Sequence, residues 1–402
     1  MRKKGRLPIM VGVCISLILI LNAFLFFGLM KDDERSGESS EAKAAVSEIE
    51  PVTVRLGSAG DIILHKPFIE SSVYRSDGEY DYSPCFESIS DVYESYDFMT
   101  VNLETTLAGE EAGYRGYPVF NSPDRIAENL KNSGVDMFLL ANNHIYDSGK
   151  AGFLRTVNYL TDEGYLSTGI RGSEDELPYV IKDIGSISVG FINYTYETPY
   201  SGGKAVNANP VDDSVADLLN SFDPSNTDGF YDEIEKRLKE MREKGAEFIV
   251  FYPHWGNEYE LEPCEYQKKM ASRLCEMGVD VIIGSHPHVV QPAELLESGD
   301  GTRSTLCVYS MGNQISNQRR EYMPMMSDGH TEDGLIVGLE ITRDEKGHVS
   351  LTHVEYIPTW VERGSDGVHR IIPADDSGAT GEVKASRDRT LKIVDSYGDM
   401  KL

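Results

Sequence analysis

The sequence predicts an α/β fold built on buried parallel strands, and three observations carry that prediction. Short, nearly continuous apolar runs recur at residues 97–103, 135–140, 247–252, 279–283 and 305–310, as expected of strands covered on both faces. Between them lie stretches with apolar side chains at helical spacing, such as Phe86, Ile89, Val92 and Tyr93. Several of the strand patterns also end in Asp, Glu, Asn or His, and open α/β sheets bind ligands beyond the carboxyl ends of their strands.

With 402 residues the chain is long enough for one large α/β domain or two ordinary ones. Its 66 acidic and 38 basic side chains give a net charge of −28, which argues against nucleic acid or anionic lipid as partners. At the amino end, Arg2, Lys3, Lys4 and Arg6 precede an uncharged, largely apolar run from Leu7 to Met30. Residues 1–30 therefore read as one uncleaved transmembrane anchor with its basic end in the cytoplasm, which places the rest of the chain outside the cell as a single-pass membrane protein. Residues 31–51, rich in Ser, Glu and Ala, read as a flexible linker. Cys85, Cys264, Cys275 and Cys307 could form two disulfides outside the cell, but they fit no metal knuckle and read as mostly reduced, structural thiols.

The folded part is expected to start near Val52, where residues 52–58 alternate like a strand that ends at Ala59-Gly60-Asp61. A helix is predicted over 83–96, and the strand at 97–103 delivers Asn102 and Glu104. Residues 124–133 form the next predicted helix, and the strand at 135–140 ends in Asn142, Asn143 and His144. A helix over 149–163 leads to a strand pair, 179–184 and 188–194, joined at Gly185. Residues 197–229 carry many Gly, Asn, Pro and Asp, the composition of a mobile flap beside a site. A charged amphipathic helix over 231–244 precedes the strand at 247–252, which ends in His254 and Trp255. A helix over 262–277 feeds the strand at 279–283, after which Gly284-Ser285 breaks the chain and presents His286 and His288. The strand at 305–310 runs on to Asn313, and 334–343 with 348–358 alternate like antiparallel strands. Residues 363–402 read as a C-terminal extension with a short helix over 386–397.

Collected at one sheet edge, Asp61, Glu104, Asn143, His254, His286 and His288 form a mixed oxygen and nitrogen ligand set. Such a set suits Mn, Zn or Fe better than calcium, and it has enough donors for one or two ions. Glu104 is the natural bridge, and a divalent ion there would acidify a bound water. His144, at the same edge, is placed to stabilise charge or protonate a leaving atom, so the catalytic candidates are His144 and Glu104. No G-x-S-x-G, P-loop or G-x-G-x-x-G sequence occurs to support the competing chemistries.

The strings GSAGDIIL, VNLETTL, ANNHIYDSG, YPHWGNEY, GSHPHVVQP and YSMGNQI, in that order, resemble the motifs of the CapA-type capsule-synthesis family. The resemblance covers residues 52–359, and a domain of this type is expected over 52–362. It implies a four-layer α/β/β/α sandwich like that of calcineurin-like metallophosphatases. It also implies a role in assembling a capsule or cell-wall polymer of the poly-γ-glutamate kind, in company with membrane-bound polymer synthase subunits. A non-catalytic assembly or polymer-binding factor and a general exported phosphatase are the alternatives. By position, Asp61, Glu104, Asn143, His254, His286 and His288 resemble the phosphatase ligands. Asn102, Asn142, Trp255, Glu258, Gln291, Asn313 and Gln318 are expected to touch substrate or support the ligands. One position departs from the pattern: where phosphatases carry a His two residues after the first Asp, this chain has Ile63, and His65 would replace it only if the strand end curled back.

Overall fold

In the computed structural model, which describes residues 50–374 and 379–398, two β-sheets lie face to face and the chain crosses between them. Strands β1 (Val52–Ile62), β2 (Phe98–Leu103), β3 (Met137–Leu139) and β4 (Leu166–Thr168) pair in parallel, in that order. A hairpin turning at Gly185 joins β5 (Val180–Ile184) to β6 (Ile187–Tyr196) and opens the second sheet. To it belong β7 (Ser221–Phe222), β8 (Phe248–His254), β9 (Val281–Ile283), β10 (Ala293–Glu297) and β11 (Ser304–Val308). Their spatial order is β7-β6-β8-β9-β11-β10, parallel except for β5 and β10 at the margins. The chain then returns to the first sheet. There β12 (Asn313–Ile315) lies beside the end of β1, and β13 (Asp333–Arg343), β14 (Val349–Arg363) and β15 (His369–Pro373) form an antiparallel meander.

Side-chain alternation along the strands separates three cores. Val250 and Tyr252 of β8 point inward to meet Leu56, Phe98 and Leu139 from the first sheet, with Phe98 and Phe191 stacked at 5.1 Å. Ile249 and Phe251 point the other way, onto helices Asp228–Glu243 and Glu265–Glu276 through Ile234, Leu238, Met241, Met270 and Leu274. On the far side of the first sheet, Val101 and Phe138 pack against Ile126 and Leu130 of helix Arg125–Asn132 and Phe153 and Val157 of helix Gly149–Asp162. The layers therefore run helix, sheet, sheet, helix.

Three expectations change. The helix predicted over 83–96 is two short ones, Ser83–Phe86 and Ser90–Glu94, broken where Ser88 and Ser90 favour a turn, although Phe86, Ile89 and Tyr93 stay buried. The flap at 197–229 is pinned rather than loose: it folds into a small hairpin, a helical turn over Asp213–Ala216 and β7, and buries Val206, Val211, Val215, Leu218 and Leu219. The segment after Gly364, set apart by its polarity, continues the first sheet as β15 and ends in helix Gly381–Val394. Arg389 in that helix donates to Asp333 at 2.8 and 2.9 Å, and Val394 joins the core between the sheets. Its polarity reflects an edge strand and a helix with one wet face. No helix among the described residues is long and apolar enough to cross a membrane, and the anchor expected at 1–30 lies outside them.

Candidate metal centre

The ends of β1, β2, β8 and β9 converge at one edge of the two sheets. Register places Asp61 of β1 beside Asn102 of β2, so Glu104, one residue beyond β2, falls next to Asp61. Gly60 lets β1 approach β12 closely, because a Cβ there would collide with the Gly312 carbonyl oxygen. From the second sheet, His254 ends β8 and bridges to Ser285, just after β9. Gly284 is needed at that turn, since a Cβ would strike both the Tyr309 carbonyl and the Trp255 indole nitrogen. His286 and His288 then sit at φ +101° and +58°, backbone that non-glycine residues rarely adopt and that stores on the order of 1–3 kcal/mol each. Holding two imidazoles this way implies that the surrounding packing over-determines them.

The side chains meet. His288 Nδ1 lies 3.1 Å from Asp61 Oδ2, and its Nε2 lies 3.9 Å from Glu104 Oε1. His254 Nε2 is 3.7 Å from the same Glu104 oxygen and 3.0 Å from Asn143 Oδ1. Asn102 Nδ2 donates to Asp61 Oδ1 at 2.7 Å and to Glu104 Oε2 at 3.3 Å, orienting both carboxylates. Two atoms of this buried cluster have no hydrogen-bond partner: Glu104 Oε1 and His286 Nδ1. An unsatisfied carboxylate oxygen buried among imidazoles costs stability unless something positive joins them.

Electrostatics agree with the geometry. Burial raises the Glu104 carboxyl well above its usual range, and Asp61, Glu258 and Asp147 add repulsion. Burial pushes His254 and His286 well below the usual histidine range, and neighbouring imidazoles push further. Both rings are thus neutral at neutral pH, with a lone pair to offer a cation. Among the described residues, three donor groups have the spacing of a metal site: Glu104 with His254 and His286, Asp61 with Glu104 and His288, and Glu258 with His286 and His288. The residues present therefore fit a divalent ion.

The remaining candidates divide by what they touch. Asn142 donates to the Leu103 carbonyl at 2.9 Å and to Asn102, bracing the carboxylate strand. Asn313 donates to the His288 carbonyl, to Thr331 O and to Gln318 Oε1, and Gln318 donates to the Tyr259 hydroxyl. Gln291 ties down the loop after His254 through the Glu260 carbonyl. Glu258 is exposed beside His286 and His288. Trp255 is wholly buried in the outer core, its indole donating to Tyr309 O at 2.9 Å, so it supports His254 and touches no substrate. Ile63 is buried, with its N–H on Ile315 O. His65 accepts from the Asn317 N–H through Nδ1 and belongs to none of the three donor groups.

His144 gains a partner that sequence reading passed over. Its Nδ1 lies 2.7 Å from Asp147 Oδ2, which also accepts the Phe120 N–H at 2.6 Å, while the Phe120 ring meets the imidazole edge-on at 4.6 Å. The signal was there, since Asp147 follows His144 by three residues. Tyr196, the last residue of β6, whose ring centre is 4.7 Å from that of His286, and Asn207, 3.4 Å from His144, were also unforeseen, because these segments come close only in the fold.

A double-sheet α/β protein with imidazoles and carboxylates gathered at one strand edge is, as a class, a candidate metal-site protein. Residues 55–318 match the family model described as bacterial capsule synthesis protein PGA_cap, and the chain belongs to that family. It is similar to the capsule biosynthesis protein CapA of Bacillus anthracis, 24% identical over 287 residues, which make up 70% of this chain and 64% of that protein. It is also similar to the PGA biosynthesis protein CapA of Bacillus subtilis (strain 168), 21% identical over 278 residues, or 67% of this chain and 64% of that protein. The match thus spans less than two thirds of either relative's length. Among solved structures, similarity extends to the NAD nucleotidase NadN of Haemophilus influenzae (TM-score 0.45, 13% identity, 86% of this chain and 64% of that one). It extends also to the calcineurin-like phosphoesterase YfkN of Bacillus subtilis (TM-score 0.41, 12% identity, 85% and 98%).

Proposed function

We propose that this protein is a membrane-anchored, outward-facing component of capsule or cell-envelope polymer assembly whose metal site hydrolyses a phosphoester or a γ-glutamyl amide. The observation that carries the metal site is Glu104 Oε1, buried without a hydrogen bond and flanked by His254 at 3.7 Å and His288 at 3.9 Å. Family membership and the names of the relatives support the capsule role, and the uncharged run at 7–30 supports the anchor.

One or two ions of Mn, Zn or Fe, held by Asp61, Glu104, Asn143, His254, His286 and His288, would polarise the attacked group and acidify water. Asn102 fixes both carboxylates in place. Asp147 accepts a hydrogen bond from the His144 Nδ1–H, which sets the ring and leaves Nε2 to carry the proton given to the leaving atom. His144→Ala is therefore expected to lower turnover of an aryl phosphodiester or a γ-glutamyl anilide by about 10²- to 10⁴-fold in Mn²⁺ buffer, with metal content unchanged. Equal turnover by variant and parent would remove His144 from the chemistry.

A second reading, a non-catalytic assembly factor, is favoured by Ile63, which puts a buried hydrocarbon where a ligand is expected. Complementation in a capsule-forming host separates the two. Capsule restored by the His144→Ala chain would favour assembly alone.

A further inference from the structure

Ile63, buried two residues after Asp61, offers the cluster no donor atom, while a carboxylate from a different loop approaches it. Glu258 lies four residues beyond His254. A carboxylate oxygen of Glu258, a ring nitrogen of His286 and a ring nitrogen of His288 all fall within 4.8 Å of one another. Three ligands each about 2.0–2.2 Å from one ion would be separated by no more than about 4.4 Å, so a small contraction onto a cation closes this group. The position is built rather than incidental. Tyr259, next in the chain and at φ +66°, donates its N–H to the Pro287 carbonyl at 2.8 Å, clamping the Glu258 loop to the turn that carries both imidazoles. Gln318 holds the Tyr259 hydroxyl from the far side at 3.2 Å. His286 itself is 3% exposed, and its Nδ1 is one of the buried atoms with no partner.

We propose that Glu258 is a metal ligand, closing the solvent side of the site over His286 and His288 and making up for the donor that Ile63 lacks. This rests on the metal-site reading above and deepens it. A neutral imidazole has one lone pair, so His288 serves a single ion. His286 likewise serves one ion, so an ion held by Glu258 takes both imidazoles and adds an anionic donor beside the groups that Asp61 and Glu104 form. An exposed carboxylate that must swing inward also makes the solvent side of the site the way in for the ion.

The test is titration of the full chain with Mn²⁺, and separately Zn²⁺, by calorimetry, comparing the parent with Glu258→Gln and Glu258→Asp. Because Glu258 is on the surface, both variants are expected to fold. For Glu258→Gln we expect either one fewer bound ion per chain or at least a tenfold rise in the weakest Kd, with Glu258→Asp falling between it and the parent. Superimposable isotherms for parent and Glu258→Gln would overturn the inference while leaving the site around Glu104 standing. A parent chain that takes up neither ion would overturn this inference and the metal-site reading together.

Discussion

Glu104→Gln is expected to make the metal-free protein more stable than its parent while abolishing stabilisation by metal. The side chain is fully buried and one of its oxygens has no partner, so ionising it is costly until a cation arrives. Glutamine keeps the shape and discards the charge, which should stabilise the metal-free fold by roughly 1–3 kcal/mol at neutral pH. The sign of the pH dependence follows from linkage. The folded-state pKa of Glu104 is raised above its ordinary value of about 4.5, so the folded chain holds a proton that the unfolded chain has released. Its favourable contribution is whole below pH about 4.5 and is lost as pH climbs through the raised value. The difference between parent and variant reads Glu104 together with its coupling to His254 and His288, which lie 3.7 and 3.9 Å from its oxygen. Urea melts from pH 4 to pH 8 should therefore show the advantage of the glutamine variant growing with pH. With Mn²⁺ at a thousand times its Kd the parent should gain about 4 kcal/mol and the variant nothing. A variant that metal still stabilises would take Glu104 out of the site.

Trp255→Ala should be the most damaging change outside the ligands, with a loss of about 3–5 kcal/mol in urea unfolding. The indole is wholly buried, stacks on Tyr309 at 6.0 Å between centres and donates to the Tyr309 carbonyl. It also fills the space that Gly284 leaves open, so its removal frees the turn carrying His286 and His288. Trp255→Phe keeps most of the volume but strands the Tyr309 carbonyl, and should lose on the order of 1–3 kcal/mol. An alanine variant less than about 1 kcal/mol below the parent would contradict the packing role.

The parallel strands and the residues at their ends were legible because most of these strands are short, apolar and finished by a polar break, so the pattern itself marks the residues that gather at the sheet edge. His286 and His288 were read from the break at Gly284-Ser285 together with the other strand ends that finish in ligand-type residues. Less was legible where tertiary contacts decide. Leu166–Thr168 and Asn313–Ile315 are too short to carry a periodic signal, and only a neighbouring strand gives them a ladder. The run after Gly364 reads as polar tail because an edge strand and a half-wet helix bury few side chains. Trp255, adjacent to His254, looked like a site residue, yet neighbours along a strand point to opposite faces, and the indole goes to the outer core. Asp147 was missed for the opposite reason: its turn brings it back to His144 within three residues.

The most direct measurement is anomalous diffraction from crystals of the protein grown with Mn²⁺. The account predicts a strong peak within about 2.0–2.3 Å of Glu104 Oε1 and of the nearer nitrogens of His254, His286 or His288. Data from well-ordered crystals with no anomalous peak among those side chains would contradict it.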